Sequence, residues 1–360
     1  MAVPCALASR HLQATDSIET SKVIQPSPAP PRAAVIDIGS ATVHLLAASW
    51  EPRSKTLIPL LEWSERPMLG AHVERTGSIP LAVIDRVAQH LQMLTHRAQT
   101  VVAPLRLLLA TQAVRQAQNR SLACQAWGAA AGLDVTTITP AEEAALALLG
   151  AQQGVPIGTL LFADSGGGST QIVLQHDGNI THIITLPVGA SSLTTSTLLH
   201  DPPTLEERAH ATAKVREALV SLPPPSLPEP KHALATGGSA LTLLLVQAAL
   251  FQENGMLVLD QLEHILQLLY HTPSSIIAQR FNLTPERARI LPAGAIIWRE
   301  LVHWSHVSYW HISRSGLRDG ALYLFFQYES GWRAWLQRYT TEHVPILDTM
   351  LPKAHREEQR

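Results

Sequence analysis

Cysteine is nearly absent: Cys5 and Cys124 are the two in 360 residues. Two thiols cannot build a disulfide framework, and their separation is no metal-ligand spacing, so the chain fits a reducing compartment, the cytoplasm. A long apolar run is missing too. The longest, Ala240 to Phe251, contains Thr242 and Gln247 and falls short of the roughly 20 residues that a membrane-spanning helix needs. The N-terminus lacks the basic-then-apolar layout of a secretory signal. Nor is there an excess of positive charge: 27 Lys and Arg stand against 29 Asp and Glu, a net charge of −2. That leaves no basic footprint for DNA and argues against a uniformly positive channel for a long polyanion, although local patches remain open. The 17 histidines form no H-E-x-x-H or comparable ligand cluster. What is present is apolar material: 46% hydrophobic and 16% charged residues exclude global disorder and allow two sizeable cores, as the length also suggests.

The chain is organised around Leu160 to Leu174, where an apolar run ends in Asp164, breaks into Ser165-Gly166-Gly167-Gly168-Ser169-Thr170-Gln171, and resumes. That reads as strand, tight turn, strand. Three glycines let backbone N–H groups converge as an anion-holding nest. An aspartate at its mouth would repel phosphate unless a cation lay between them, so the combination suggests a metal–phosphate site. The plainer reading is a hairpin with a demanding turn. Ala34 to Leu46 has the same layout around Asp37-Ile38-Gly39-Ser40-Ala41-Thr42, 127 positions earlier. Two related lobes, each offering an Asp–Gly hairpin, imply a phosphate clamped in the cleft between them.

Residues 1–32 are polar, run through Pro-Ser-Pro-Ala-Pro-Pro, and read as a flexible leader or a misassigned start. After the hairpin 33–48, a third strand is expected at 56–63, a helix at 80–97 and a buried strand at 105–110. A helix at 121–132 and a strand at 135–138 follow. Thr139-Pro140-Ala141-Glu142 is a capping box that gives Glu142 a structural role. Glu143 has none, and the helix dipole would keep it ionised. Such a carboxylate suits a general base, yet by itself it reads as an ordinary first-turn acid. The second half brings a strand at 181–186, helices near 189–199 and 204–221, and a proline-rich connector at 223–230. The strand ending at Thr236 leads through Gly237-Gly238-Ser239 into a helix, whose N-terminus is a further candidate phosphate or ribose contact. Helices near 258–271, 274–281 and 285–303, a strand at 307–312 and a final helix after Gly316-Leu317-Arg318-Asp319-Gly320 complete the order. The tail 331–360 is expected to form a helix lying back on a lobe.

The paired motifs resemble the phosphate-binding loops of the actin-like ATPase superfamily. They look most like those of the exopolyphosphatase/guanosine pentaphosphate phosphohydrolase (Ppx/GppA) family, which also matches Ala110-Thr111, Ala113-Val114-Arg115, Glu142-Glu143-Ala144, Thr236-Gly237-Gly238, Arg287-Ala288, Pro292-Ala293-Gly294 and Gly316 to Gly320. The resemblance runs from about 33 to 328 and is to the short form, without a C-terminal helical domain. It implies an α/β fold of two ribonuclease H-like (actin-like ATPase) lobes around a central cleft: residues 33–146, then 147–328, with a helical tail over 329–360. It implies hydrolysis of a terminal phosphoanhydride of polyphosphate or of guanosine penta- or tetraphosphate with Mg²⁺ or Mn²⁺, in a protein that binds neither DNA nor membrane and admits a homodimer. Glu143 would activate water and Arg115 would neutralise phosphate charge as a planar fork. Asp37, Asp164 and Gln171 would face the metal. Gly39, Ser40, Thr42, Gly166, Gly167, Gly168, Ser169, Thr170, Gly237, Gly238 and Ser239 would cradle phosphoryl oxygens.

Three positions depart from the family: Ala41 stands where it usually has Asn, Gln171 where it has Glu, and Met68 where it often has Arg. A second reading therefore stands beside the hydrolase, a sensor that closes on a phosphorylated nucleotide without cleaving it. A small-molecule kinase of the same superfamily fits less well, because Glu142-Glu143-Ala144 and Gly316 to Gly320 match the phosphatases.

Overall fold

The computed structural model describes residues 29–153, 155, 158–220, 230, 232–252 and 255–341. The proline-rich connector at 223–229, the leader up to 28 and the tail beyond 341 lie outside the described residues. Both hairpins form where the apolar runs place them. The first half contains β1 (Arg32–Ile38), β2 (Val43–Glu51), β3 (Thr56–Glu65), α1 (Leu69–Thr76), α2 (Leu81–Thr100), β4 (Leu105–Ala110), α3 (Gln112–Gln116), α4 (Arg120–Ala131), β5 (Thr136–Thr137) and α5 (Pro140–Ala151). The second contains β6 (Leu160–Ser165), β7 (Thr170–His176), β8 (Asn179–Leu186), α6 (Ala190–Thr197), α7 (Leu205–Val220), β9 (His232–Thr236), α8 (Gly238–Phe251), β10 (Met256–Val258), α9 (Leu259–His271), α10 (Ser274–Phe281), α11 (Pro285–Ser305), β11 (Tyr309–Ile312), α12 (Leu317–Tyr328) and α13 (Trp332–Thr341).

The strands form two sheets, ordered β3-β2-β1-β4-β5 and β10-β11-β9-β6-β7-β8. In each, a three-stranded antiparallel meander is continued by parallel strands, β1 beside β4 and β6 beside β9. The duplication inferred from two Asp–Gly motifs is thus a duplication of sheet topology. Three apolar cores follow. One lies outside the first sheet, under α2 and α4, and one outside the second, under α8, α9 and α11. The third gathers the inner faces of both sheets onto α5, α12 and α13.

That inner core rearranges the expected lobes. Helix α5 packs on β6, β7 and β9 of the second sheet, whereas α12 packs on β1, β2 and β3 of the first. A boundary between 146 and 147 therefore falls inside α5, a continuous helix, and the chain halves exchange one helix each. The exchange needs glycine. A β-carbon on Gly150 would overlap the Gly316 carbonyl, and one on Gly320 would overlap the Leu146 carbonyl, so the two helices cross backbone to backbone. The described part of the tail is helical: Trp332 and Leu336 of α13 are buried in the inner core, and Trp335 stacks on Tyr339 with ring centroids 4.8 Å apart.

Candidate active site

A cleft lined by residues of both sheets' loops encloses about 280 Å³. Its floor is set by strand ends. Asp37, next to last in β1, is paired with His44 on β2 and Leu109 on β4. Asp164, next to last in β6, is paired with Gln171 on β7 and Thr236 on β9. The two aspartates occupy equivalent places in duplicated hairpins, and so do His44 and Gln171.

Past each aspartate the chain turns. In the first loop Gly39 N–H donates to the Thr42 carbonyl (2.9 Å), and the Ser40 and Ala41 carbonyls accept from Gly70 N–H (2.7 Å) and Met68 N–H (3.2 Å) at the start of α1. In the second, Gly166 N–H donates to the Ser169 carbonyl (3.0 Å). There the Gly166 and Gly167 carbonyls accept from Ala190, Ser191 and Ser192 at the N-terminus of α6 (2.9–3.0 Å). With those carbonyls engaged, the loop turns glycine backbone to the cleft. The loops face each other: a β-carbon on Gly167 would stand 3.8 Å from Ala41 Cβ, and one on Gly168 would stand 2.7 Å from Gln112 Oε1. The third glycine turn approaches from β9, where Gly237 has φ +98° and a β-carbon would stand 2.5 Å from Asp164 Oδ1. Only glycine allows that combination of backbone and closeness.

The electrostatics are those of carboxylates short of cation. Burial pushes Asp37 up to about 7, opposed by Arg318 and aided by Glu143. Asp164 is likewise pushed up to about 7, by burial first and then by Glu143 and Asp37, again opposed by Arg318. Asp37 Oδ1 is buried with no hydrogen-bond partner among the described residues, an oxygen in need of a ligand. No three His, Cys, Asp or Glu side chains among the described residues form a ready metal cage. Mg²⁺ rarely uses one, since one or two carboxylates with water and phosphate oxygens suffice. Asp37 and Asp164 suit that role, being hard oxygen donors that a divalent cation would allow to ionise together.

Glu143 lies in the first turn of α5, with Glu142 closing the expected capping box: Thr139 N–H donates to Glu142 Oε2 (2.7 Å) and Glu142 N–H to Thr139 Oγ1 (3.1 Å). At Glu143 burial and Arg115 act beside the helix dipole. Burial raises its carboxyl above the usual range, and Arg115 is the cation that opposes the rise. Arg115 Nη1 donates to Glu143 Oε2 (2.9 Å) and to the Ile138 carbonyl (2.6 Å). Arg115 is not among the cleft-lining residues, so the expected phosphate fork is here a holder of Glu143. Thr170 also lies away from the cleft, fully buried and donating to the Val188 carbonyl (2.7 Å). The Ser239 hydroxyl is engaged too, donating to the Ser165 carbonyl (3.3 Å) and accepting from Trp298 Nε1 (3.0 Å), although Ser239 does line the cleft. Gln171 lines the cleft with its amide donating to Ser169 Oγ (2.9 Å).

The remaining residues, Asp37, Gly39, Ser40, Thr42, Glu143, Asp164, Gly166, Gly167, Gly168, Ser169, Gly237 and Gly238, meet at this one cleft. Sequence reasoning missed His44, although the spacing of seven that separates Asp164 from Gln171 also separates Asp37 from His44. Burial and then Arg318, Arg287 and Arg66 hold His44 well below the usual histidine range, so it is neutral at physiological pH. It also missed the roles of Arg66, Arg287, Arg314 and Arg318, four guanidiniums gathered on the cleft in a chain of net negative charge. The segment Gly316 to Gly320 divides its work among its residues. Arg318 faces the carboxylates, Asp319 Oδ2 accepts from Gly316 N–H (2.8 Å), and Gly320 makes the helix crossing.

The family model described as the Ppx/GppA phosphatase family matches residues 52–329. The chain is 30% identical over 292 residues to exopolyphosphatase 2 of Mycobacterium tuberculosis, an overlap of 75% of this chain and 89% of that one. A Streptomyces coelicolor protein is 29% identical over 192 residues, 52% of this chain and 56% of its own length. The solved structure of the Aquifex aeolicus Ppx/GppA family member superposes with a TM-score of 0.71 at 26% identity, over 82% of this chain and 98% of the other. The two sheets around one cleft are therefore the two-lobed actin-like ATPase fold.

Proposed function

The chain belongs to the Ppx/GppA phosphatase family, and from that premise we infer that it is a phosphohydrolase removing the terminal phosphate of polyphosphate or of guanosine penta- or tetraphosphate. The observation that carries the reading is the pair of aspartates on duplicated strand ends, each followed by a glycine loop, with Glu143 and Arg318 lining the same cleft. The terminal phosphoryl group lies between the two loops, where backbone N–H groups receive its oxygens as charge develops. Asp37 and Asp164 would hold Mg²⁺ or Mn²⁺, which supplies charge neutralisation at the phosphoryl oxygens. Glu143, its carboxyl raised above the usual range by burial and held by Arg115, takes a proton from the attacking water. The water oxygen bonds to phosphorus as the bridging P–O bond breaks, and the shortened chain leaves with that oxygen. The few cysteines support a cytoplasmic setting.

Phosphate release from polyphosphate and from guanosine pentaphosphate, with and without Mg²⁺ or Mn²⁺, tests this. Metal-dependent release from either supports it, and no release from both overturns it. A second reading, a sensor that binds without cleaving, is favoured by Ala41 and by Gln171, whose amide is bonded to Ser169 where a carboxylate would face the metal. Binding without release identifies it.

A further inference from the structure

Arg66 follows β3 on the side of the first sheet, whereas Thr284 and Glu286 begin α11 on the side of the second. Arg66 Nη1 donates to Thr284 Oγ1 (2.9 Å), a contact between residues 218 positions apart, and lies 3.6 Å from Glu286 Oε2. The pair sits on the open rim of the cleft, with side-chain exposures of 32% and 61%. Arg287 lies beside it, its Nη1 donating to the Gly238 carbonyl (2.9 Å), and burial and then the charge of Arg66 lower its pKa. The rim thus brings two guanidiniums together against one exposed carboxylate. Among the described residues, Nη1 alone of the Arg66 donors is bonded, which leaves the rest of a five-donor fork unengaged.

We propose that Arg66 is a specificity-determining residue, bridged across the cleft rim to Thr284 and Glu286, which a phosphate chain draws off Glu286 when it extends beyond the reacting group. The inference rests on the phosphohydrolase reading. An exposed ion pair is weak and exchanges readily, whereas phosphate offers guanidinium a bidentate, doubly charge-assisted partner. A chain whose end phosphate lies between the glycine loops has its next groups leaving past Arg287 towards Arg66. Glu286 competes for the same guanidinium and sets a threshold that short anions do not overcome.

The test is kinetics of wild type, Arg66→Gln, Glu286→Gln and the double variant on tripolyphosphate, on long-chain polyphosphate and on guanosine pentaphosphate. Arg66→Gln is expected to raise KM tenfold or more on the long chain and less than threefold on tripolyphosphate, with the change confined to KM. Glu286→Gln lowers KM on the long chain, and the double variant follows Arg66→Gln. The guanosine arm reads whether the preference is for inorganic chains or extends to nucleotides. An equal loss at every chain length, or a loss in kcat with KM unchanged, overturns the proposal; melting curves identify a variant that is merely destabilised. Should the wild type release no phosphate, the hydrolase reading falls. Calorimetric affinities of wild type and Arg66→Gln for the same chains then decide the role of Arg66 separately, equal affinities overturning it.

Discussion

Asp37 and Asp164 are buried beside Glu143 with Arg318 as the opposing charge, and this shortage sets how the free protein responds to pH. Both carboxyls are pushed from 3.8 to about 7. Between those values the folded chain holds protons that the unfolded chain has released, so stability falls as pH rises through the window and levels off above it. Thermal melts from pH 5 to pH 8 should show Tm falling without a divalent cation, and Mg²⁺ should restore more at pH 8 than at pH 5. Asp37→Asn should flatten the metal-free profile; a wild-type Tm that rises with pH contradicts the account. Gln171 belongs to the same balance of charge. Gln171→Glu replaces the donation to Ser169 with a further carboxylate facing the cleft, so Tm should drop without metal. Mg²⁺ affinity should rise about tenfold, a fraction of the several kcal/mol that opposite charges a few ångströms apart gain at an effective dielectric near 20 before desolvation. Unchanged Mg²⁺ affinity beside a lower Tm would make Gln171 a packing choice. The aspartates and glycine loops were legible in the sequence because short-range chemistry defines them. The pairing of Arg115 with Glu143 was not, since it depends on how α3 and α5 approach each other.

Elements were legible where their periodicity is long or their turns are distinctive. The helix expected at 80–97 is α2, extended to Thr100, and the capping box at Thr139 starts α5 as its residues require. Helix α1 was missed because it is eight residues long and begins after Met68 in the left-handed region, with no side-chain cap. Strand β10 is three residues long and exists by pairing with β11. The α5–α12 crossing was invisible because Gly150 and Gly320 belong to helices far apart in the chain. It is nonetheless what carries Glu143 and Arg318 to one cleft. Gly150→Ala forces a methyl group onto the Gly316 carbonyl and is expected to cost about 3 kcal/mol, the upper part of the usual range for overpacking. Gly331→Ala, where a β-carbon meets nothing within 4 Å, should stay within about 0.5 kcal/mol of wild type. Chemical denaturation measures both, and equal midpoints for the two variants would show that the helices can separate freely.

For the whole molecule, two copies of one sheet topology place equivalent aspartates on a shared cleft, and exchanged helices tie the halves together. The duplication was readable from two motifs, whereas the helix exchange and the arginine-lined rim appear only when the sheets face each other. No helix among the described residues is long and apolar enough to cross a membrane. On the proposed reading Glu143 is the base, in a cleft whose loops hold the phosphate and whose aspartates would hold the metal. The most direct measurement is kcat of Glu143→Gln beside wild type on the same substrate with saturating Mg²⁺, together with the substrate affinity of each by calorimetry. The expected result is a fall in kcat of about 10²–10⁴-fold, the usual worth of a general base, with affinity kept within a few-fold and the fold intact because Glu142 retains the cap. Wild-type turnover in Glu143→Gln would contradict the account, leaving Glu143 a first-turn acid paired with Arg115 and nothing more.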